Sequence, residues 1–277
     1  MKPAPFDYYR PGDIAEASSA LQEANGGAKL IAGGQSLGPM LNLRLVQPHL
    51  LVDITGVEEL SDFDEDDENL RIGACITASD IEDQRIPTHA VPPLAKVAGG
   101  IAYRAIRNRG TIGGSLCHAD PAADWVNLLP ALGASYVLAD ARGTRTVPAE
   151  EFMTAAFETS LKPSEILRTV IIPKLSADAR WGYAKISWKT GKFAMAIGIV
   201  ISDPGRGIFR ALIGATHGKP IILVDAVEIL SHGPGKGVKV NETRFIEIME
   251  KSGIAEGPAQ RLHLVALRRA ATEAFAS

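Results

Sequence analysis

The sequence has only two cysteines, Cys75 and Cys117, among its 277 residues. Two thiols cannot supply the four ligands that an iron–sulfur cluster normally takes, and their spacing matches no zinc motif. They also cannot build the disulfide framework of a small secreted protein. We therefore expect a cytoplasmic chain that holds neither an iron–sulfur cluster nor a structural zinc ion.

The sequence also lacks strong charge of one sign and long apolar runs. Its 29 basic and 32 acidic residues give a net charge of -3 and no polybasic segment, which argues against nucleic acid as a partner. The longest uncharged stretches, residues 125–139 and 193–202, are too short to span a bilayer. The first seven residues lack the apolar region of a secretory signal. These features favour a cytoplasmic protein without a transmembrane segment.

Three widespread motifs are missing as well. No G-x-G-x-x-G follows the first predicted strand, so a Rossmann dinucleotide site is not supported. There is no G-x-x-x-x-G-K-[ST], which excludes a P-loop, and the six histidines form no H-E-x-x-H or similar metal spacing. The function must therefore depend on another pattern.

Hydrophobic periodicity predicts an α+β fold with a boundary near residue 176. Asp13 precedes apolar residues at helical spacing and predicts a capped helix at residues 14–25. The acidic stretch 61–69 fits either a cation site or, as we prefer, a solvated hairpin tip, because it lacks the glycine and spaced glutamate of a calcium loop. Further helices are predicted at residues 78–83, 92–101, 122–132, 222–230, 242–251 and 259–275; strands at residues 29–32, 50–54, 70–72, 136–139, 169–172, 184–188, 194–202 and 208–215; a glycine-containing loop and strand at 107–116; a linker at 176–180; and a glycine-rich loop at 233–237.

Two segments place a Gly-Gly pair directly after an apolar run, with a serine close behind. They are Gly33-Gly34 before Ser36 and Gly113-Gly114 before Ser115. Glycine permits positive φ and close approach of a ligand, and successive free N–H groups form a concave anion site. Either pair alone could be only a tight turn. Two of them favour a clamp around the two phosphates of a dinucleotide.

The residues around these pairs resemble a known family. The segment AGGQSL at residues 32–37, followed by LRL at 43–45 and LVDI at 51–54, is similar to the first flavin loop of the molybdenum hydroxylase medium subunits. This family includes the medium subunit of aerobic carbon monoxide dehydrogenase and the flavin domain of xanthine dehydrogenase. IRNRGTIGGS at 106–115 resembles the second flavin loop, and HADPAAD at 118–124 continues it. The resemblance covers nearly the whole chain.

The resemblance implies an oxidoreductase subunit that holds FAD without a covalent bond. It implies a vanillyl-alcohol-oxidase (PCMH) type FAD-binding domain at residues 1–175 and a smaller α+β domain at residues 176–277. The expected function is electron transfer from iron–sulfur clusters of a partner to an external acceptor. The expected partners are a large subunit with a molybdenum cofactor and a small subunit with 2Fe–2S clusters, in a dimer of heterotrimers.

The resemblance also implies which residues bind the cofactor. The two glycine segments would hold the pyrophosphate region, Asp124 would make a polar contact, and Leu167 would make a contact by its main chain. A capping role at a helix N-terminus is the alternative for Asp124. The expected cofactor-binding set is Leu30, Ile31, Ala32, Gly33, Gly34, Gln35, Ser36, Leu37, Ile101, Thr111, Ile112, Gly113, Gly114, Ser115, His118, Asp124, Leu167, Lys185 and Phe193, with no catalytic residue and no metal ligand.

Four residues have more than one possible role. Cys117 stands where the family commonly has alanine; it could be a redox thiol, but we favour a small buried filler. His118 could be a base beside Asp120 or Asp124, but we favour a structural role that orders the loop near the phosphates. Many relatives have Asp-Tyr where this chain has Lys192 and Phe193. The phenyl ring could still cover the flavin, but the added positive charge means that the flavin's reactivity cannot be carried over.

Two other functions remain open at this stage. A self-contained FAD-dependent oxidase or dehydrogenase would generally need a larger substrate domain than the roughly 100 residues that follow residue 176. A module that has lost its flavin conflicts with two intact glycine segments. The sequence does not identify the substrate, since the residues that would select it lie on another chain; carbon monoxide, an aldehyde, a purine and an N-heterocycle stay open.

Overall fold

The computed structural model describes residues 2–232 and 238–276, so the predicted glycine-rich loop at 233–237 lies outside the described residues. The chain begins with a small parallel sheet of three strands, in which the third strand lies between the first and the second. The side chain of Asp13 accepts a hydrogen bond of 2.8 Å from the N–H of Glu16, which caps the first helix as predicted. The elements of this part are β1 (Asp7–Tyr9), α1 (Ile14–Glu23), β2 (Ala28–Ile31), α2 (Leu37–Asn42) and β3 (Leu50–Asp53).

An antiparallel sheet of five strands follows, in which the strand at residues 166–173 lies between those at residues 69–73 and 135–140. The acidic stretch forms its first hairpin turn, as predicted. There Asp66 accepts hydrogen bonds from Arg71 and from two backbone N–H groups, which hold its pKa at about 2. The described residues contain no group of side chains that could hold a metal ion. The elements are β4 (Phe63–Glu65), β5 (Asn69–Gly73), α3 (Ala78–Glu82), α4 (Pro93–Gly99), α5 (Arg104–Arg107), α6 (Ile112–His118), α7 (Asp124–Leu132), β6 (Ser135–Asp140), β7 (Gly143–Pro148), α8 (Ala149–Phe152), β8 (Met153–Ala155), β9 (Glu158–Thr159) and β10 (Ile166–Pro173).

The third sheet is antiparallel, has its four strands in sequence order and is covered on both faces. Side chains alternate along a strand, so Ile197 and Ile199 of its second strand pack into the core of the preceding residues. Gly198 and Val200 face the last helix instead, and a Cβ on Gly198 would lie 2.5 Å from the carbonyl carbon of Ala266. The elements are β11 (Arg180–Ile186), β12 (Ala196–Asp203), β13 (Ile208–Gly214), β14 (Ile221–Leu223), β15 (Leu230–His232), β16 (Val238–Val240), α9 (Glu242–Lys251) and α10 (Pro258–Phe275).

Helix α7 joins the second and third sheets. Every residue of this helix is buried. The Arg210 guanidinium donates to the carbonyls of Pro130 and Ala131 at 3.1 and 3.4 Å, which places a cation at the helix C-terminus. One hydrophobic core therefore continues from the first 175 residues into strands β12 and β13. No helix in the described ranges is long and apolar enough to cross a membrane.

Two predicted elements are wrong. Residues 107–116 do not form a strand; they contain the end of α5 and the start of α6, because the Thr111 hydroxyl caps a helical turn by accepting from the N–H of Gly114 at 3.1 Å. Residues 222–230 do not form a helix. Ile221–Leu223 pairs with β13 as strand β14, and residues 226–228 form a single 3-10 turn behind Asp225. Pairing with a distant strand outweighed the local helical pattern.

Candidate functional site

The two glycine segments meet in space although 80 positions separate them in sequence. A Cβ on Gly33 would lie 1.9 Å from the carbonyl oxygen of Arg109 and 3.0 Å from the Cα of Gly110. The Gln35 side chain donates to the Gly33 carbonyl at 3.0 Å and lies over Gly110. Glycine at position 33 is thus required by close backbone contact between the segments.

The first segment offers unpaired backbone donors. It follows β2 and leads into α2, and Gly34 has a φ of 71°. Among the described residues, none accepts a hydrogen bond from the N–H of Gly34, Gln35, Ser36 or Leu37. Gln35 and Ser36 are exposed. Four successive free N–H groups beside a residue of positive φ form a concave site for an anion. This arrangement fits the pyrophosphate of a dinucleotide.

The second segment does not offer such donors. The N–H groups of Ile112 and Gly113 donate to the carbonyls of Ile76 and Ala74, both at 2.9 Å, and the N–H of Gly114 is bound by Thr111. Neither Gly113 nor Gly114 has a positive φ. The expectation that both segments present free N–H groups at positive φ is therefore wrong for the second one. It supports the first segment by packing, and its half-buried Ser115 lies one turn further along α6.

Asp124 and Lys185 are brought together. Asp124 starts α7 and Lys185 lies on β11; the ammonium donates to the carboxylate Oδ1 at 2.7 Å and to the carbonyl of Gly100 at 2.8 Å. Tyr183 donates to the same oxygen at 2.5 Å. The Asp124 side chain is 10% exposed and that of Lys185 is 15% exposed, so this ion pair is largely shielded from water. Asp124 makes no hydrogen bond to a backbone N–H at the start of α7, so its side chain does not cap this helix.

The carboxylate of Asp124 limits what it could bind. An ionised carboxylate only accepts hydrogen bonds. It therefore repels a phosphate and can contact a cofactor only through an O–H or N–H donor, such as a sugar or ribityl hydroxyl. Within the described ranges no protein donor reaches its second oxygen, Oδ2, which leaves that atom available.

The other predicted residues are dispersed around these groups. Half-buried Leu30 and Ile31 lie in β2, and the half-buried Ile101 has its carbonyl bound by Arg107 at 2.9 Å. Leu167 is 2% exposed and sits in β10 at an irregularity of the pairing with β6, so only its main chain could reach a ligand. Phe193 is 72% exposed on the segment between β11 and β12.

His118 and Cys117 lie toward the C-terminal end of α6, away from Thr111. The His118 ring contacts Phe157 with a centroid distance of 5.3 Å. No pattern in the sequence predicts this aromatic partner, and His118 lies at the opposite end of the helix from the glycine turn. Cys117 is exposed at the surface, which disagrees with a small buried filler. Its densely packed surroundings nevertheless raise the pKa of the thiol to about 12, which argues against a reactive redox thiolate as well.

A cleft of about 520 Å³ opens beside the first segment. Ala32, Gly33 and Thr111 line it together with polar residues outside the predicted set, among them Thr77 and Asn108. Its position next to the free N–H groups gives a bulky ligand room beyond the phosphate site.

Sequence reasoning missed two residues that organise the site. Arg107 makes a bidentate ion pair with Glu82, at 2.7 and 3.0 Å, while it holds the Ile101 and Ala102 carbonyls. Tyr183 shares Asp124 with Lys185. A signal for Tyr183 existed: residues i and i+2 of a strand lie on one face, so a strand through Lys185 places Tyr183 beside it.

Comparison with known proteins agrees with this geometry. The family described as "FAD binding domain in molybdopterin dehydrogenase" matches residues 4–175. The carbon monoxide dehydrogenase medium chain of Hydrogenophaga pseudoflava is 36% identical over 80% of this chain and 78% of its own length. The nicotine 6-hydroxylase medium subunit of Paenarthrobacter nicotinovorans is 33% identical over 83% of this chain and 82% of its own length.

Solved structures give the same result. A chain of carbon monoxide dehydrogenase from Hydrogenophaga pseudoflava aligns with a TM-score of 0.88 and 31% identity over 100% of this chain and 99% of that one. A chain of quinoline 2-oxidoreductase from Pseudomonas putida 86 gives a TM-score of 0.85 and 29% identity over 99% and 98%. The chain belongs to the family of FAD-binding medium subunits of molybdenum hydroxylases. The predicted family, the α+β class, the cofactor FAD and the oxidoreductase class are confirmed.

Proposed function

We propose that this chain is the FAD-carrying electron-transfer subunit of a heterotrimeric molybdenum hydroxylase. Its partners would be a large subunit with the molybdenum cofactor and a small subunit with 2Fe–2S clusters, assembled as a dimer of heterotrimers in the cytoplasm. When bound, FAD supplies two-electron redox chemistry between the iron–sulfur clusters and an external acceptor. The similarity to a carbon monoxide dehydrogenase medium chain over 78% of its length, and to a solved carbon monoxide dehydrogenase chain over 99% of its length, supports this role.

We also propose that residues 1–175 form a PCMH-type FAD-binding domain and residues 176–277 a smaller C-terminal domain. The single observation that carries the cofactor site is the run of four N–H groups at residues 34–37 that find no acceptor among the described residues. They would hold the pyrophosphate, while the close backbone contact of Gly33 with Arg109 and Gly110 keeps the two segments packed together. Helix N-termini and N–H nests stabilise phosphate by their partial positive charge.

The remaining proposed contacts come from the wall formed by α7 and β11. Asp124 would accept a hydrogen bond from a hydroxyl or N–H group of FAD through Oδ2. Lys185 would direct its third N–H toward the cofactor, since two of its three are bound by Asp124 and Gly100. Phe193, exposed in this structure, would cover the flavin ring and exclude water.

The first test concerns the cofactor. The purified chain should bind one FAD, recognised by its visible spectrum and by identification of the released compound. A folded chain that takes up no added FAD, or that releases FMN with its single phosphate, would contradict the site.

The second test separates the subunit from a self-contained enzyme. The FAD-loaded chain should accept electrons from dithionite and pass them to a dye, yet oxidise no organic substrate. Turnover of an aldehyde, an N-heterocycle or carbon monoxide by this chain alone would favour the self-contained oxidase or dehydrogenase. Substrate oxidation that appears only after both partner subunits are added would support the proposal.

A further inference from the structure

Tyr183 and Lys185 lie on the same strand and donate hydrogen bonds to the same oxygen atom. They are two positions apart on β11, so they share a face, and both reach Asp124 Oδ1, at 2.5 and 2.7 Å. The oxygen Oδ2 of the same carboxylate has no protein donor among the described residues. Two donors on one oxygen fix the rotation of the carboxylate and leave the other oxygen facing away from both.

Tyr183 is itself held firmly. Its backbone N–H donates to Glu273 Oε2 at 3.1 Å, which anchors this edge strand to α10. Burial, together with the negative charge of Asp124 and the hydrogen bond to it, raises the pKa of the Tyr183 hydroxyl well above its ordinary value. The phenol thus stays protonated and acts as a donor at any physiological pH.

The hydroxyl also changes the electrostatics of the ion pair. With Tyr183 bound, the negative charge of Asp124 Oδ1 is shared between a neutral donor and the ammonium. Without the phenol, the carboxylate would be neutralised by Lys185 alone, and its free rotation would let it draw the ammonium away from Gly100. A charge pair in a site of low dielectric is sensitive to such changes.

We infer that Tyr183 is a positioning residue for the cofactor: through Asp124 it orients the free carboxylate oxygen and keeps the Lys185 ammonium available to FAD. This inference rests on the proposed function, in which Asp124 and Lys185 contact FAD. Tyr183 would act on the cofactor through Asp124 rather than through a contact of its own.

The experiment compares Tyr183→Phe with Tyr9→Phe in the full chain. Tyr9 provides a matched control because its hydroxyl also donates to a carboxylate, that of Glu16, at 3.1 Å, on strand β1. FAD dissociation constants are measured by fluorescence titration and midpoint potentials by spectroelectrochemistry. For Tyr183→Phe we expect about threefold to tenfold weaker FAD binding.

The potential should also become more negative in Tyr183→Phe, because a more neutralised Lys185 stabilises the electron-rich reduced cofactor less. If reduced FAD loses about threefold more affinity than oxidised FAD, the shift is roughly 15 mV for a two-electron couple. A structural role alone would lower thermal stability without moving the potential. Tyr9→Phe should change neither the affinity nor the potential.

Asp124→Asn and the double variant complete the test. If Tyr183 acts through Asp124, Tyr183→Phe should add little to the loss already caused by Asp124→Asn, a non-additivity expected of residues in one network. A chain that binds no FAD in its unmodified form would overturn the proposed function and this inference together. FAD binding by the unmodified chain, with an unchanged or more positive potential in Tyr183→Phe or with additive losses, would overturn the inference alone.

Discussion

Replacing Gly33 with alanine should separate the two glycine segments. The added Cβ would lie 1.9 Å from the Arg109 carbonyl oxygen and 2.6 Å from its carbon, both backbone atoms that no side-chain rotation can move aside. Since real Cβ contacts essentially never fall below 3.0 Å, the segments must move apart by about 1 Å. Overpacking of this kind typically costs about 1–3 kcal/mol, and occasionally more.

The same displacement should weaken FAD binding. The four free N–H groups follow Gly33 directly, so a shift of the segment spoils their common direction toward the pyrophosphate. The loss of one hydrogen bond to a charged group is worth roughly 1.5–3 kcal/mol, or about tenfold to a hundredfold in affinity. We therefore expect Gly33→Ala to weaken the affinity for FAD by at least about tenfold.

Gly34→Ala provides the matched comparison. Its Cβ would meet nothing closer than the Ile31 Cδ1 at 3.5 Å, so the only penalty is the left-handed φ of 71°, roughly 1–2 kcal/mol. Thermal unfolding of the apoprotein and FAD titration should rank Gly33→Ala below Gly34→Ala in both stability and affinity. Gly33→Ala with unmodified stability and full FAD affinity would refute the close packing of the two segments.

Three further variants test other parts of the site. Phe193→Ala should leave apoprotein stability within about 0.5 kcal/mol of the unmodified chain, because the ring is exposed. The fluorescence of the bound flavin should rise, because removal of the ring changes both the access of water to the flavin and the quenching of the flavin by its surroundings. Unchanged fluorescence would show that Phe193 does not contact the flavin. Asp124→Asn should lower apoprotein stability by about 1–3 kcal/mol in chemical denaturation, since Lys185 loses its charged partner, and an unaltered midpoint would contradict the buried ion pair. Arg145 lowers the pKa of Glu165 below its ordinary value of 4.5. Their ion pair therefore stabilises the fold above pH 4.5 and loses its effect as the pH falls through the lowered pKa. Arg145→Ala should move the midpoint of acid unfolding to higher pH, and an unshifted midpoint would contradict the ion pair.

Short-range sequence patterns predicted the elements that depend on residues close together in the chain. The α1 cap at Asp13, the hairpin at the acidic stretch and the helix α10 all lie where periodicity and capping place them. The two glycine segments were predictable because close packing of two backbones requires glycine, and glycine is visible in the sequence. Gly33 needs that contact, and Gly34 needs its positive φ.

Features that depend on distant partners were not predictable in this way. Helix α6 is only seven residues long and rich in glycine, so its pattern is too short to identify, and its N–H groups are bound by Ala74 and Ile76 from another part of the chain. Strand β14 exists because β13 pairs with it. The contact of Tyr183 with Asp124 spans 59 positions, and no local spacing encodes it.

The position of helix α7 between the second and third sheets determines how this chain could be truncated. The family match ends at residue 175, but the buried faces of α7 and its neighbours pack against Ile197, Ile199 and Leu212, which lie beyond it. A fragment ending at residue 175 would carry that apolar face into water and lose Arg210 from the helix C-terminus. Truncation at the apparent border would thus produce an aggregation-prone polypeptide, whereas a chain nicked between residues 175 and 180 would keep both pieces associated.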